Sequence, residues 1–276
     1  MARTAPLRST RAIEMVRYAL EACALLVLLA CLVPPLLLQA RRYEVAEALQ
    51  FSLLAVVVPA LFVAGAPWRQ LRLVTTEHPT VDVDGFGAQM DGLRFVDRLA
   101  RDRRRHLEPF RSVIVALVFA GIVIFWRTPL AVDALRRHPS LILAEAVSLT
   151  TSGALLWLEL IESPPIQPRL SRPHRVAMAA IVMWVIWVLA YLVGLSHGSW
   201  YHGYDHSSAT GLSVSADQQL TSGVIWLITG LAFVPVIFWN LIYWLKSEED
   251  PDAEFHRLVR QERSRAVSVE REVPEH

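Results

Sequence analysis

The sequence predicts an all-α protein, a polytopic membrane helix bundle of six transmembrane helices with both termini cytoplasmic. Apolar types make up 54% of the 276 residues and charged types 19%, beyond the roughly 45–50% apolar content of soluble chains. The charges are also segregated: Arg101-Asp102-Arg103-Arg104-Arg105 and the stretch from Lys246 to Asp250 are dense with them, while long runs carry almost none. Most of those runs reach the ~20 apolar residues that a hydrocarbon core about 30 Å thick requires of a helix.

In order, the runs cover about Tyr18–Ala40, Val45–Ala66, Val113–Trp126, Leu141–Ile161, Val176–Leu195 and Leu220–Leu245. The third is short unless Phe110 and Leu130 extend it past Arg111 and Arg127, whose long stems can snorkel to the interfaces. Leu25 to Leu38 is apolar throughout, unlike the alternating segments of a spanning barrel, so the spans are helices. The Arg-rich start does not lead to a small-x-small cleavage site, and the first run reads as a retained span. Cys23 and Cys31 lie within it and read as small, buried packing residues rather than a disulfide framework.

Lys and Arg fix the orientation, because short cytoplasmic loops keep positive charge. The N-terminus, the second and fourth connections and the tail together hold 22 of them, against five on the other side. The division is therefore a cytoplasmic segment 1–17, a membrane domain 18–245 and a charged cytoplasmic tail 246–276. Within the membrane domain, connection 67–110 is cytoplasmic and connection 196–216 external. In the former, Asp91 to Leu107 has a thin apolar face among arginines and reads as a solvated, topology-setting segment, the alternative being a basic amphipathic helix at the inner headgroup surface. In the tail, Asp250-Pro251 can open a polar helix running to about Ala266. A net charge of +1 gives no basic footprint for nucleic acid.

Ionisable and amide groups inside spans are costly and therefore informative. Glu47 and Gln50 fall near the outer end of the second helix, Glu145 near that of the fourth, and Asp217, Gln218 and Gln219 open the sixth. Topology brings all six to one depth, which suggests a polar cluster between helices in the outer leaflet. Asp217 also reads as a helix cap after Ser213 and Ser215. Glu21, Glu159 and Glu162 read as interfacial on the inner side.

The external connection carries His197, His202, His206 and Asp205. On a helix His202 and His206 are i, i+4 neighbours able to chelate one ion, and only an irregular loop brings His197 to them. Alternatives are an ordinary interfacial loop and a pH-sensitive contact surface. No P-loop, Gly-x-Ser-x-Gly or His-Glu-x-x-His is present, and none of the nine histidines falls inside a predicted span. The chain is therefore not expected to be an enzyme.

The segment Gly211-Leu212-Ser213-Val214-Ser215-Ala216-Asp217-Gln218-Gln219-Leu220, with Gly223 and Ile225-Trp226, resembles the opening of the last helix of the CtaG-type cytochrome c oxidase assembly family. Gln50, Pro59, Gly65 and Pro67 are similar to that family's second helix, Trp126, Pro129, Ala134 and Leu135 to its Trp-His-x-Pro segment, and Glu145, Ser148, Gly153 and Trp157 to its fourth helix. The likeness spans about Val45 to Leu245. It implies a bacterial inner-membrane protein that serves assembly or stability of a haem-copper oxidase, with oxidase subunits and the lipid bilayer as partners.

Histidines of the family are replaced at the matching positions by Glu47, Phe51, Arg127 and Ala146. Copper prefers imidazole or sulfur, so the resemblance implies a degraded copper site and a scaffolding role, with close packing through Gly153, Ala154, Gly223 and Gly230. No cofactor is fixed by the sequence. Copper is the metal the resemblance brings, and His197, His202, His206 and Asp205 are the candidate relocated ligands of a copper-binding chaperone. A permanent accessory subunit of the oxidase is the other alternative. A transporter or proton relay through Glu145 is the remaining one.

Overall fold

The computed structural model describes residues 7–70, 103, 109–196, 201, 204 and 213–248. Among them the secondary structure is helical, apart from an isolated bridge between Ser163 and Ile166. Five helices are long and apolar enough to cross a membrane, and a sixth span results if one bent pair counts as a single crossing.

Helix α1 (Leu7–Leu32) stops before Pro34-Pro35, and α2 (Leu36–Arg42) starts after them. Proline has no N–H to donate and pushes its predecessor out of the α region. The run expected as one helix from Tyr18 to Ala40 is therefore two. Cys31 is buried as expected, but Cys23 is exposed on α1.

The next span is the best-buried one. It consists of α3 (Glu44–Ser52), a π-helical turn (Leu53–Val57) and α4 (Val58–Gly65). The π turn lies just ahead of Pro59. Its Val58 amide reaches back to the Leu53 carbonyl, and Pro59 has no amide hydrogen to offer the Leu54 carbonyl. The Thr150 hydroxyl donates to that carbonyl across the helix interface at 3.4 Å, a repair typical of interrupted membrane helices. Ala66, at φ 58, closes α4 in the left-handed region before the short α5 (Pro67–Gln70).

Helix α6 (Pro109–Trp126) is followed by α7 (Pro129–Arg137) after a bend of 63°. Thr128 caps α7 by accepting the Ala131 amide, and Pro129 occupies the first turn. The third span thus gains length at its start, through Phe110, but turns away at Arg127 instead of running on to Leu130.

Helices α8 (Leu141–Leu160), α9 (Arg172–Gly194) and α10 (Val214–Glu248) complete the bundle. α9 packs along α10, α3 also lies against α10, and α8 fills the angle between α4 and α6. His174 sits in the first turn of α9, its Nδ1 2.6 Å from the Ser171 hydroxyl, so one histidine does lie within a helix that spans. Ser213 accepts the Ala216 amide at 3.2 Å. The cap expected of Asp217 is therefore supplied by Ser213, and Asp217 lies in the first turn. The core centres on Trp157 and Phe233, whose rings lie 4.9 Å apart, with Leu54, Leu149 and Leu156 fully buried around them.

Of the small residues expected to permit close packing, Gly153 does so most tightly. A Cβ there would sit 2.6 Å from the Ala55 carbonyl oxygen and 2.7 Å from Pro59 Cγ. A Cβ on Gly230 would make ordinary contact with Trp187, and around Gly223 there is open space. The α8–α4 interface is thus set by a glycine against the π turn, which has no side chain able to retreat. Gly153→Ala is expected to cost about 1–3 kcal/mol, the usual range for overpacking a close-packed site, and Gly223→Ala close to nothing. Thermal unfolding of the two variants in one detergent checks this, and equal midpoints would refute it.

Candidate functional site

The bundle has polar residues gathered at both ends. At the end where α3 and α8 begin, the predicted cluster residues take different places. Glu47, Gln50, Glu145 and Gln218 are buried, Asp217 is half-buried and Gln219 is exposed. Glu44, one turn before Glu47 and not singled out by sequence, is fully buried where α3 meets α10. It is in electrostatic contact with Arg127, Asp217 and Glu47, and faces Thr221.

The centre of this end is Arg127. Expected to snorkel, it is instead fully buried at the α6–α7 bend. Its Nη1 donates to the Glu47 carboxylate. Its guanidinium carbon lies 5.1 Å from the Phe51 ring centroid and equally far from that of Tyr201, within reach of a cation–π attraction to each ring. The bend explains the burial. Because α6 ends at Trp126 and α7 departs at 63°, the Arg127 side chain is turned inward between α3 and Tyr201.

Tyr201 locks the same corner by donating its hydroxyl to the Arg127 backbone carbonyl at 3.0 Å. Burial pushes this phenol up to about 12. Beside it Tyr204 lies edge-on, its ring under the Arg136 guanidinium at 4.4 Å. Two aromatic residues of connection 196–216 thus stack on two arginines of the α6–α7 corner. His197, His202, His206 and Asp205 lie outside the described residues.

Glu145, on α8, feels the charges of Glu47 and Arg127. It lines a cavity of about 30 Å³ together with Glu47, Gln50, Arg136 and Tyr204, room for a water molecule. The Gln50 amide donates to the Cys31 carbonyl at the end of α1. The Trp126 indole donates to the Ser148 hydroxyl at 2.8 Å, and that hydroxyl donates to the Glu145 carbonyl at 3.0 Å. Three buried carboxyls from two helices thus share one buried guanidinium. The donors facing this cavity are oxygens, suited to protons, water or hard cations and poor for copper. Among the described residues no group of three or more His, Cys, Asp or Glu is placed to hold a metal ion.

The opposite end holds a second buried charge that sequence placed at the interface. Glu159 is fully buried. It binds Arg103 at 3.1 Å and Arg169 at 3.3 Å, and accepts the Ser112 hydroxyl at 3.0 Å. Arg103 also donates to the Leu158 carbonyl at 3.1 Å. One residue of the long basic connection is therefore built into the bundle floor. The rest of the segment from Asp91 to Leu107, and the tail helix expected after Asp250, lie outside the described residues. Glu162, by contrast, is exposed, and pairs with Arg172 and Arg175.

The sequence signal for Arg127 was available in its position: an arginine at the same depth as Glu47 and Glu145, between an apolar run and Pro129. The signal for Glu159 was weaker, since its partners lie 56 and 10 residues away in segments that no helical period connects.

Searches of curated proteins and of solved structures find no match for the chain. The family described as cytochrome c oxidase caa3 assembly factor matches residues 1–247. That match covers every helix described above except for the last residue of α10, including Arg127 with its carboxylate partner and the Gly153 contact. The chain belongs to the CtaG family of cytochrome c oxidase caa3 assembly factors.

Proposed function

We propose that this membrane protein supports assembly or stability of a haem-copper oxidase by helix–helix contact, without delivering copper through the intramembrane site that the resemblance implies for its family. The observation that carries this reading is the meeting of Glu47, Phe51 and Arg127. Each stands where the resemblance puts a histidine, and Arg127 contacts the other two, Glu47 as an ion pair and Phe51 as a cation–π pair. Arginine keeps its charge at any physiological pH. A fixed internal cation therefore occupies the space between Glu47 and Phe51, and it repels a second one. Ala146, at the fourth such position, is buried and has no donor atom.

The reading places the Arg127 end outward and both termini in the cytoplasm, as the Lys and Arg distribution requires. The partner is an oxidase subunit that meets the exposed apolar faces of α9 and α10. Gly223, with open space over its Cα, lies on that surface and allows a partner helix to approach closely.

The test is purification of the full-length protein from its native membrane in mild detergent, with copper measured on the same sample before and after loading. The expected result is co-purifying oxidase subunits with copper well below one ion per chain. About one retained copper, lost when His197, His202 and His206 are all replaced by alanine, would overturn the reading in favour of a copper chaperone using the external connection. Near-stoichiometric oxidase in every preparation would make the protein a permanent subunit instead of a transient factor.

A further inference from the structure

At the Glu159 end, a cleft of about 550 Å³ opens between the end of α8, the start of α9 and the last turns of α10. One wall is basic: Arg172 and Arg175, one turn apart in the first turns of α9, both point at Glu162. The other wall is aromatic: Trp239 and Tyr243, their rings 4.8 Å apart, lie on α10. Arg172 sits over the Tyr243 ring at 4.8 Å, which ties the walls together. Below the charged rim the lining turns apolar, through Val236 and Pro235.

We propose that this cleft is a binding site for an anionic phospholipid, with the phosphate on Arg172 and Arg175 and an acyl chain running down beside Trp239 and Val236. The charge balance calls for an anion. Among the described residues, two guanidiniums, Arg172 and Arg175, line the cleft against one carboxylate, Glu162. Glu162 reaches Arg172 and Arg175 through a single oxygen, at 3.6 and 3.3 Å, and is 59% exposed, so water screens it.

The α9 N-terminus adds its own positive end to the same rim. Arg175 is held in place by donating its Nε to the Leu170 carbonyl at 2.8 Å, so one guanidinium is preorganised before the ligand arrives. Tryptophan and tyrosine above an apolar slot match the headgroup level of a bilayer, and basic clefts between membrane helices are where anionic headgroups settle. A soluble phosphate would use the arginines but leave the slot below them unfilled.

The experiment uses the full-length protein in phosphatidylcholine vesicles carrying a few mole per cent of brominated phosphatidylglycerol, or the same amount of brominated phosphatidylcholine, as a contact quencher of tryptophan. Phosphatidylglycerol is expected to be preferred about fivefold over phosphatidylcholine, the scale of one net arginine charge near a headgroup. The excess quenching should disappear in Trp239→Phe, which removes the reporter, and in Arg172→Gln/Arg175→Gln, which removes the charge. If the double variant fails to fold, Trp239→Phe together with loss of the preference in high salt still decides the matter. Equal quenching by the two lipids overturns the proposal. So does relief of the excess by millimolar inorganic phosphate, because the occupant would then be a soluble anion.

Discussion

Replacing Arg127 by methionine is expected to cost about 3–5 kcal/mol, the usual penalty for leaving one partner of a buried ion pair without the other. Glu47, Glu44 and Glu145 would then share a buried corner with no cation inside it. The rings of Phe51 and Tyr201, 5.1 Å from the guanidinium carbon, would also lose the group they cover. Arg127→Lys is expected to recover little, because an ammonium cannot lie flat between two rings. The double variant Arg127→Met/Glu47→Leu is expected to regain most of the loss, since buried pairs exchanged for apolar residues of similar size are often neutral or better.

A thermal or denaturant titration in detergent of the wild type, Arg127→Met, Glu47→Leu and the double variant measures the coupling directly. Losses that simply add in the double variant would show that the pair is not the organising contact of this end. The same series bears on metal exclusion. If Arg127 is what keeps cations out, removing it while Glu47 stays should raise binding of hard divalent ions, and the double variant should not.

Glu159→Gln is expected to have a comparable effect at the other end, again about 3–5 kcal/mol. The amide keeps the shape and the acceptor for Ser112 but leaves two guanidiniums, Arg103 and Arg169, facing a neutral group in a buried site. Glu162→Gln is the control. Its carboxylate is largely solvated, and exposed pairs contribute about 0–1 kcal/mol. Because Arg103 belongs to the long basic connection, loss of Glu159 should also release that connection, seen as faster proteolysis between residues 69 and 108. If Glu159→Gln and Glu162→Gln unfold at the same temperature, burial of Glu159 does not stabilise the fold.

How much of the site was legible in advance differs from residue to residue. Glu47, Gln50 and Glu145 were placed at one depth by topology alone, and the structure does bring Glu47 and Glu145 to one cavity. Gln219 was grouped with them because sequence gives depth but not azimuth. Its helix turns about 100° per residue, so of Asp217, Gln218 and Gln219 only Gln218 is fully turned inward. Glu44 was passed over because it lay just outside the apolar run. Sequence alone makes Arg127 interfacial, because a straight helix carries it to the surface, and only the bend before Pro129 turns it in.

The sequence by itself determined that the chain is helical, that it crosses a membrane and which family it belongs to. Hydrophobic run length is a property of consecutive residues, and the family signal lies in ordered short motifs. Which charges meet which was decided only by the tertiary structure. Arg127 with Glu47, and Glu159 with Arg103, are joined across 80 and 56 residues by the bend after α6, the π turn before Pro59 and the glycine that lets α8 approach it. Those are matters of helix rotation and crossing distance, which a periodic pattern leaves open and side-chain packing settles.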